Sequence, residues 1–166
     1  MKTGRVRIAK FQSKHLKECT DIMAGSDPWV TFGVTHTDAR AFFECHLSSD
    51  RCYVAIQDGK VVGFIVFYAK DAFPLGGYVK AIAVEVRHRK QGTGKKMMEF
   101  AEARILKQWP NVFLLVSDFN MKARRFYRKL GYSQIGRIPN ALAKGRAELI
   151  YRKTTGRCKR FPTQFT

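Results

Sequence analysis

Arg89-Lys90-Gln91-Gly92-Thr93-Gly94 decides how this 166-residue chain is read. An apolar, β-branched run, Tyr78 to Val84, comes just before it. The segment from Gly92 to Trp109 follows, with Met97, Met98, Ala101, Ile105 and Trp109 along one helical face. The first N–H groups of a helix lack intrahelical partners, and the helix dipole is positive there. An anion such as a pyrophosphate can accept several of those N–H groups at once. Gly92 and Gly94 clear side chains from the approach and admit unusual backbone angles. Arg87, Arg89, Lys90, Lys95 and Lys96 surround the turn with positive charge. A Walker loop, GxxxxGK[ST], is absent, and a dinucleotide GxGxxG would need a third glycine where Met97 stands. On these residues alone, a turn with solvated charges stays open beside a phosphate cradle.

Downstream, Asn120 to Tyr132 reads N-M-K-A-R-R-F-Y-R-K-L-G-Y. Ala123, Phe126, Tyr127 and Leu130 fall at helical spacing, which predicts a helix over 121–130 with Gly131 as its C-cap. By pattern, Tyr127 is a core aromatic on this stripe and Asn120 a helix N-cap. Between the two stretches, Val112 to Ser117 is a short apolar run that suits a buried strand.

Upstream, Arg51–Gln57 and Lys60–Lys70 flank Asp58-Gly59, a pair that favours a type I′ hairpin turn. A strand over 5–11 and a helix capped by Ser13 and running to about Ala24 come first. A second helix, capped by Thr35 or Thr37, runs to about Ser48. Two strands, Tyr132–Ile138 and Arg146–Tyr151, are joined by the 139–145 loop. The order β-α-α-β-β-β-α-β-α-β-β predicts an α/β domain with one mixed sheet over residues 1–153. Residues 154–166 read as a basic, mobile tail.

Lys and Arg number 31 against 13 Asp and Glu, a formal charge of +18. That predicts attraction to polyanions without naming one. Cys19, Cys45, Cys52 and Cys158 form no CxxC pair, and no histidine stands at metal-ligand spacing, so free thiols and no metal are expected. The start of the chain lacks the apolar core of a secretory signal, and the run Gly63–Ala69 is too short to span a bilayer. A soluble, cytoplasmic protein is expected.

Together, R-K-Q-G-T-G and N-M-K-A-R-R-F-Y-R-K-L-G-Y resemble the GNAT superfamily of N-acetyltransferases. The first matches that family's [RQ]xxGx[GA] acyl-CoA pyrophosphate loop. The second matches NxxAxxFYxxxGF, with Tyr132 for the final Phe. The resemblance covers about Arg5 to Arg152, nearly the whole chain. It implies a GNAT-like fold and acetyl-CoA as acyl donor to an amine of a small molecule or protein. It further implies that the strand ending Ile82-Ala83-Val84 splays from its neighbour, offering backbone groups to the pantetheine arm and an N–H to the thioester carbonyl. Arg89, Lys90, Gln91, Gly92, Thr93, Gly94 and Lys95 would hold the pyrophosphate, and Asn120 the pantetheine. Tyr127 would protonate the departing thiolate.

Two bases used by relatives are missing: Tyr78 and Leu115 stand where glutamates would be. Water, Glu85, Glu148, Asp118 and His88 remain as alternatives. The resemblance places the acceptor between the 25–37 and 139–145 loops, with Trp29, Phe32, Tyr78 and Asn140 as candidate lining. Trp29 and Phe32 could equally close the core under a loop. Two rival functions stay open. One is a basic nucleic-acid-binding module, although the spacing of Phe126 and Tyr127 turns them away from Arg124, Arg125 and Arg128, which leaves only non-specific electrostatic contact. The other is a non-catalytic acyl-CoA sensor.

Overall fold

The computed structural model describes residues 4–73 and 75–156; Cys158 and the tail from 157 onward lie outside them. The elements are β1 (Arg7–Lys10), α1 (Leu16–Ala24), α2 (His36–Glu44), β2 (Cys52–Gln57), β3 (Lys60–Phe73), β4 (Gly76–Val84), α3 (Thr93–Ile105), β5 (Asn111–Ser117), α4 (Met121–Lys129), β6 (Ser133–Pro139) and β7 (Ala147–Thr154). The order matches the sequence expectation. The strands form one seven-stranded sheet, β1-β2-β3-β4-β5-β7-β6, in which β4 and β5 are the parallel neighbours.

Local chemistry explains most boundaries. Asp58 and Gly59 both take positive φ, 49° and 77°, as a type I′ turn requires. Thr35, not Thr37, caps α2: its hydroxyl accepts the Asp38 N–H at 3.1 Å, and the Asp38 carboxylate accepts the Thr35 N–H at 2.9 Å. Ser13 is not a cap, because it opens a short 3-10 turn, Ser13–His15, ahead of α1. β1 is shorter than expected, and β7 runs on past the expected Tyr151 to Thr154, beyond the anticipated domain end at 153. α2 stops at Glu44 rather than near Ser48, and α3 at Ile105 rather than Trp109; in α3, irregular bonds such as Gln108 N–H to Ile105 C=O replace the ladder before Pro110. Gly131 follows α4 with φ 89°.

The sheet separates two apolar layers. On one face, Met97, Met98, Ala101 and Ile105 of α3 and Tyr127 of α4 pack on Val79, Val112, Leu114, Val116 and Leu149. On the other, α1 and α2 bring Cys19, Met23 and Phe43 onto Val54, Phe64, Ala81 and Ala83. Because strand side chains alternate, Phe113, Leu115 and Ser117 of β5 face away from α3. The α3 face is fastened at its rim by Glu102, which accepts from the Tyr132 hydroxyl at 2.9 Å and from Lys153 Nζ at 2.7 Å.

One irregularity governs the centre. β4 pairs with β5 through Gly77↔Val112, Tyr78↔Phe113 and Val79↔Leu114, and pairing stops there. On its other edge, β4 pairs Val79 with Phe67 but Ala81 with Val66, so Lys80 is an extra, bulged residue. A bulge bends its strand and increases the local twist. It falls one residue past the last β4–β5 pair, where the two strands part.

Candidate functional site

Beyond Val79, the β5-facing edge of Ile82, Ala83 and Val84 is free of strand pairing, as is the β4-facing edge of Leu115 to Ser117. This is the splay expected at Ile82-Ala83-Val84. The opening has donors and acceptors on both walls and a different chemistry on each face.

At its α3 end lies the glycine turn. Lys90 has φ 62° and Gly92 φ 84°, with Arg89 in the extended region between β4 and these residues. Left-handed residues among right-handed ones turn successive N–H groups inward, forming an anion-binding concavity. A Cβ on Gly92 would meet nothing within 4 Å, so this position needs glycine for its φ, not for space. Gly94 is the reverse: a Cβ there would come within 3.3 Å of the Phe126 ring, tying α3 close to α4. Thr93 is 1% exposed, and its hydroxyl has no hydrogen-bond partner among the described residues. An anion-accepting cradle with an unpartnered buried hydroxyl beside it fits a pyrophosphate.

The turn's side chains divide their work. Arg89 is committed to the protein, donating from Nε to the Val84 carbonyl at 2.9 Å and from a guanidinium nitrogen to Ser26 at 3.1 Å. It braces the turn against the end of β4 and the α1–α2 loop. Gln91 donates to the Arg87 carbonyl, and Lys95 lies 3.7 Å from Glu99. Glu85 accepts from the Arg87 N–H and pairs with His88 Nδ1 at 2.6 Å. Burial would raise the Glu85 carboxyl, but His88 and Arg87 outweigh it and hold it below the usual range.

Across the opening, Asn120 caps α4 by accepting the Ala123 N–H at 3.1 Å, which leaves its side-chain amide donors unused by the cap. Tyr127 is 7% exposed and packs between Phe126 and Tyr132. Burial pushes its phenol well above the ordinary value, and Tyr78 adds to the shift, so it holds its proton at neutral pH. That is the required starting state for an acid.

The opposite face carries other groups. Tyr78 is half-buried, and burial, then the charge of Glu148, raise its phenol. Phe32, from the α1–α2 loop, meets Phe119 edge-on at 5.6 Å and bridges the mouth of the opening. Trp29 instead rests on Phe64 at 5.8 Å and closes the core under its loop. Asn140, at φ 54°, accepts the Gly145 N–H at 2.8 Å and shapes the β6–β7 loop. Ser117 and Phe119 join this face without having been singled out in the sequence. Ser117, the one hydroxyl ending the apolar β5 run, was the available signal.

A mixed sheet whose one parallel pair among the described residues splits beside an anion-cradling turn defines an acyltransferase of the GNAT type. The chain belongs to the acetyltransferase (GNAT) family, whose model matches residues 17–132. No curated protein matches the sequence. Among solved structures, Ard1 from Thermoplasma volcanium is 22% identical with TM-score 0.75, covering 92% of this chain and 99% of that one. The ribosomal-protein-S18-alanine N-acetyltransferase of Escherichia coli is 16% identical with TM-score 0.69, covering 95% and 99%. An aminoglycoside 6'-N-acetyltransferase complexed with coenzyme A is 17% identical with TM-score 0.72, covering 89% and 96%. At these identities the likeness establishes the fold. No helix among the described residues is long and apolar enough to cross a membrane.

Proposed function

We propose that this protein moves an acetyl group from acetyl-CoA directly to a primary amine, on a small molecule or a protein, with Tyr127 as general acid. The observation that carries the reading is the opening between β4 and β5, with the positive-φ turn at Lys90–Gly92 at one end and the buried Tyr127 beside it.

In this reading the N–H groups at the start of α3 bind the donor's pyrophosphate, and Lys90 and Lys95 add charge around it. The free edge of Ile82, Ala83 and Val84 pairs with the pantetheine amides, and a backbone N–H at the bulge faces the thioester oxygen. Asn120 donates its side-chain amide to the same arm. Tyr127 gives its proton to sulfur as the C–S bond breaks, a contribution typically of 10²–10⁴-fold. The amine attacks directly, so no cysteine nucleophile takes part. Cys19 and Cys52 are buried with thiols pushed up by desolvation, Cys52 to about 12, a state suited to packing rather than attack. Their free state is in keeping with a reducing cytoplasm.

The test is calorimetric titration with acetyl-CoA, with a mixed-sequence DNA duplex as comparison, at moderate salt. Micromolar acetyl-CoA binding that is lost in Gly92→Glu supports the donor site. Salt-sensitive DNA binding without acetyl-CoA binding would reverse the reading. Acetyl-CoA binding without turnover on any amine would favour a sensor.

A further inference from the structure

Glu148 stands out in this charge distribution. Residues 119–156 contain ten Lys and Arg and a single acidic residue, Glu148. Of those ten cations, only Lys153 forms an ion pair among the described residues, and it pairs with Glu102. The one carboxylate amid this excess is therefore not matched to a cation. It is 7% exposed, and its hydrogen-bond partner is a neutral hydroxyl, Ser117, at 2.6 Å. A buried carboxylate without a countercharge is costly unless something cationic comes to it.

Its position indicates what that would be. Ser117 and Glu148 are cross-strand partners at the end of β5 where β4 has already parted. Val112, Leu114, Val116 and Leu149 face α3 and α4, so Ser117 and Glu148 face the other side. Tyr127 lies in the α3–α4 layer. The two ionisable groups thus occupy opposite faces of the sheet at one gap, and Tyr78 is near enough to both to perturb Tyr127 and to respond to Glu148. A thioester carbonyl held in the gap would be attacked by nitrogen arriving from the Glu148 face, and sulfur leaving the resulting tetrahedral carbon would find Tyr127 in the other layer.

The groups facing Glu148 are the Ser117 hydroxyl at the end of β5, Asp118 just after it, Tyr78 from β4, Ile138 across from it on β6, and Arg146 just before β7. Arg146 directs its guanidinium over the Phe119 ring at 5.2 Å. Asp118 uses one oxygen on the Ala147 N–H, while its other, buried oxygen has no partner among the described residues. Two carboxylates and a hydroxyl thus meet at the mouth, with Arg146 and Arg124 beside them, the latter donating to the Asp118 carbonyl at 3.0 Å.

Resting on the acetyl-transfer reading above, we propose that Glu148 receives the ammonium of the acceptor and takes its proton, and that the acceptor is a monoamine rather than a polycation. The ammonium passes one proton to Glu148, and its nitrogen forms the C–N bond. The C–S electron pair leaves with sulfur, which takes the Tyr127 proton. The second proton lost by nitrogen restores Tyr127, and Glu148 releases its own to solvent. The balance is one amide, one thiol and one proton. Arg146 over Phe119 and Arg124 on the Asp118 carbonyl, neither in an ion pair among the described residues, repel a polyamine at the mouth while admitting a single ammonium on a neutral or anionic body.

The test uses full-length protein labelled with carboxyl-¹³C glutamate, its Glu148 resonance assigned by loss in Glu148→Gln. Saturated with CoA, the protein is titrated with 2-phenylethylamine, its isostere 2-phenylethanol, a β-alanyl amide and spermidine. The proposal expects the Glu148 resonance to move with the monoamines, to stay with the alcohol, and to respond at least tenfold more weakly to spermidine. With any amine found to be acetylated, Glu148→Gln should lower kcat/KM about 100-fold and flatten the rising acid limb of its pH profile. Ser117→Ala, which leaves the carboxylate in place, should shift that limb and keep most of the rate. A protein that binds CoA normally but whose Glu148 resonance ignores every monoamine overturns the proposal, as does an equal response to spermidine. A protein that fails to bind CoA refutes the underlying acetyl-transfer reading instead.

Discussion

The two halves of the β4–β5 pair follow different rules. In the zipped half, Val79, Val112 and Leu114 sit under α3, all 3% exposed or less, and the backbone groups are paired. In the open half, a few residues further along, the backbone edges are unpaired, and Ser117, Asp118 and Glu148 replace hydrocarbon. The change occurs at one bulged residue, Lys80. The zipped half is built for stability and tolerates no missing volume. The open half carries unsatisfied groups that only a ligand would complete.

The largest expected effect tests the zipped half. Leu114→Ala should cost roughly 3 kcal/mol of stability, the usual scale for a buried leucine, read as a lowered midpoint in urea. A loss below 1 kcal/mol would mean that this half is not close-packed. In the open half, Tyr127→Phe removes a hydroxyl without removing volume. We expect kcat to fall about 100-fold, with acetyl-CoA affinity unchanged and little loss of stability. Equal turnover would remove Tyr127 from the acid role.

The turn can be divided more finely. Gly92→Ala has room for its methyl but must hold φ 84°, so it should cost roughly 1 kcal/mol in stability and weaken acetyl-CoA binding only slightly. Gly92→Glu adds a negative charge at the cradle and should weaken binding at least tenfold. If both variants bind alike, the backbone conformation rather than the anion site matters there.

The zipped half was legible in the sequence because periodicity and turn chemistry are local. The Val112–Ser117 run, the Asp58-Gly59 hairpin and the α3 stripe each need only neighbouring residues to be read. The cradle was legible for the same reason, since the 89–94 turn carries its own glycines. The bulge was not, because Lys80 is surplus only relative to Val66 and Phe67 on another strand. The pairing of Ser117 with Glu148 was equally hidden, being a register between residues 31 apart. Arg89 adds what the motif could not show: its guanidinium donates to the Val84 carbonyl and the Ser26 hydroxyl, contacts visible only in three dimensions.

The smallest effect bears most directly on whether the open half is unsatisfied. Burial raises the Glu148 carboxyl above its ordinary value, Asp118 adds to this, and the Ser117 hydroxyl partly offsets it. In the unfolded chain the same group titrates normally. Between the ordinary and the raised value, the folded protein therefore binds more protons than the unfolded one, so stability falls as pH rises through that window and stays lower above it. Glu148→Gln keeps the shape and removes the ionisation. At pH 7 without ligand it should melt roughly 2–4 °C higher than the parent, a gain of about 1 kcal/mol in a chain of this size. The gain should shrink as pH is lowered through the window, because the parent's carboxyl is then neutral as well. A variant that melts lower than the parent at pH 7 would mean that the folded protein already stabilises the Glu148 charge. The open half would then be as complete as the zipped one, and the carboxylate would have no reason to seek an ammonium.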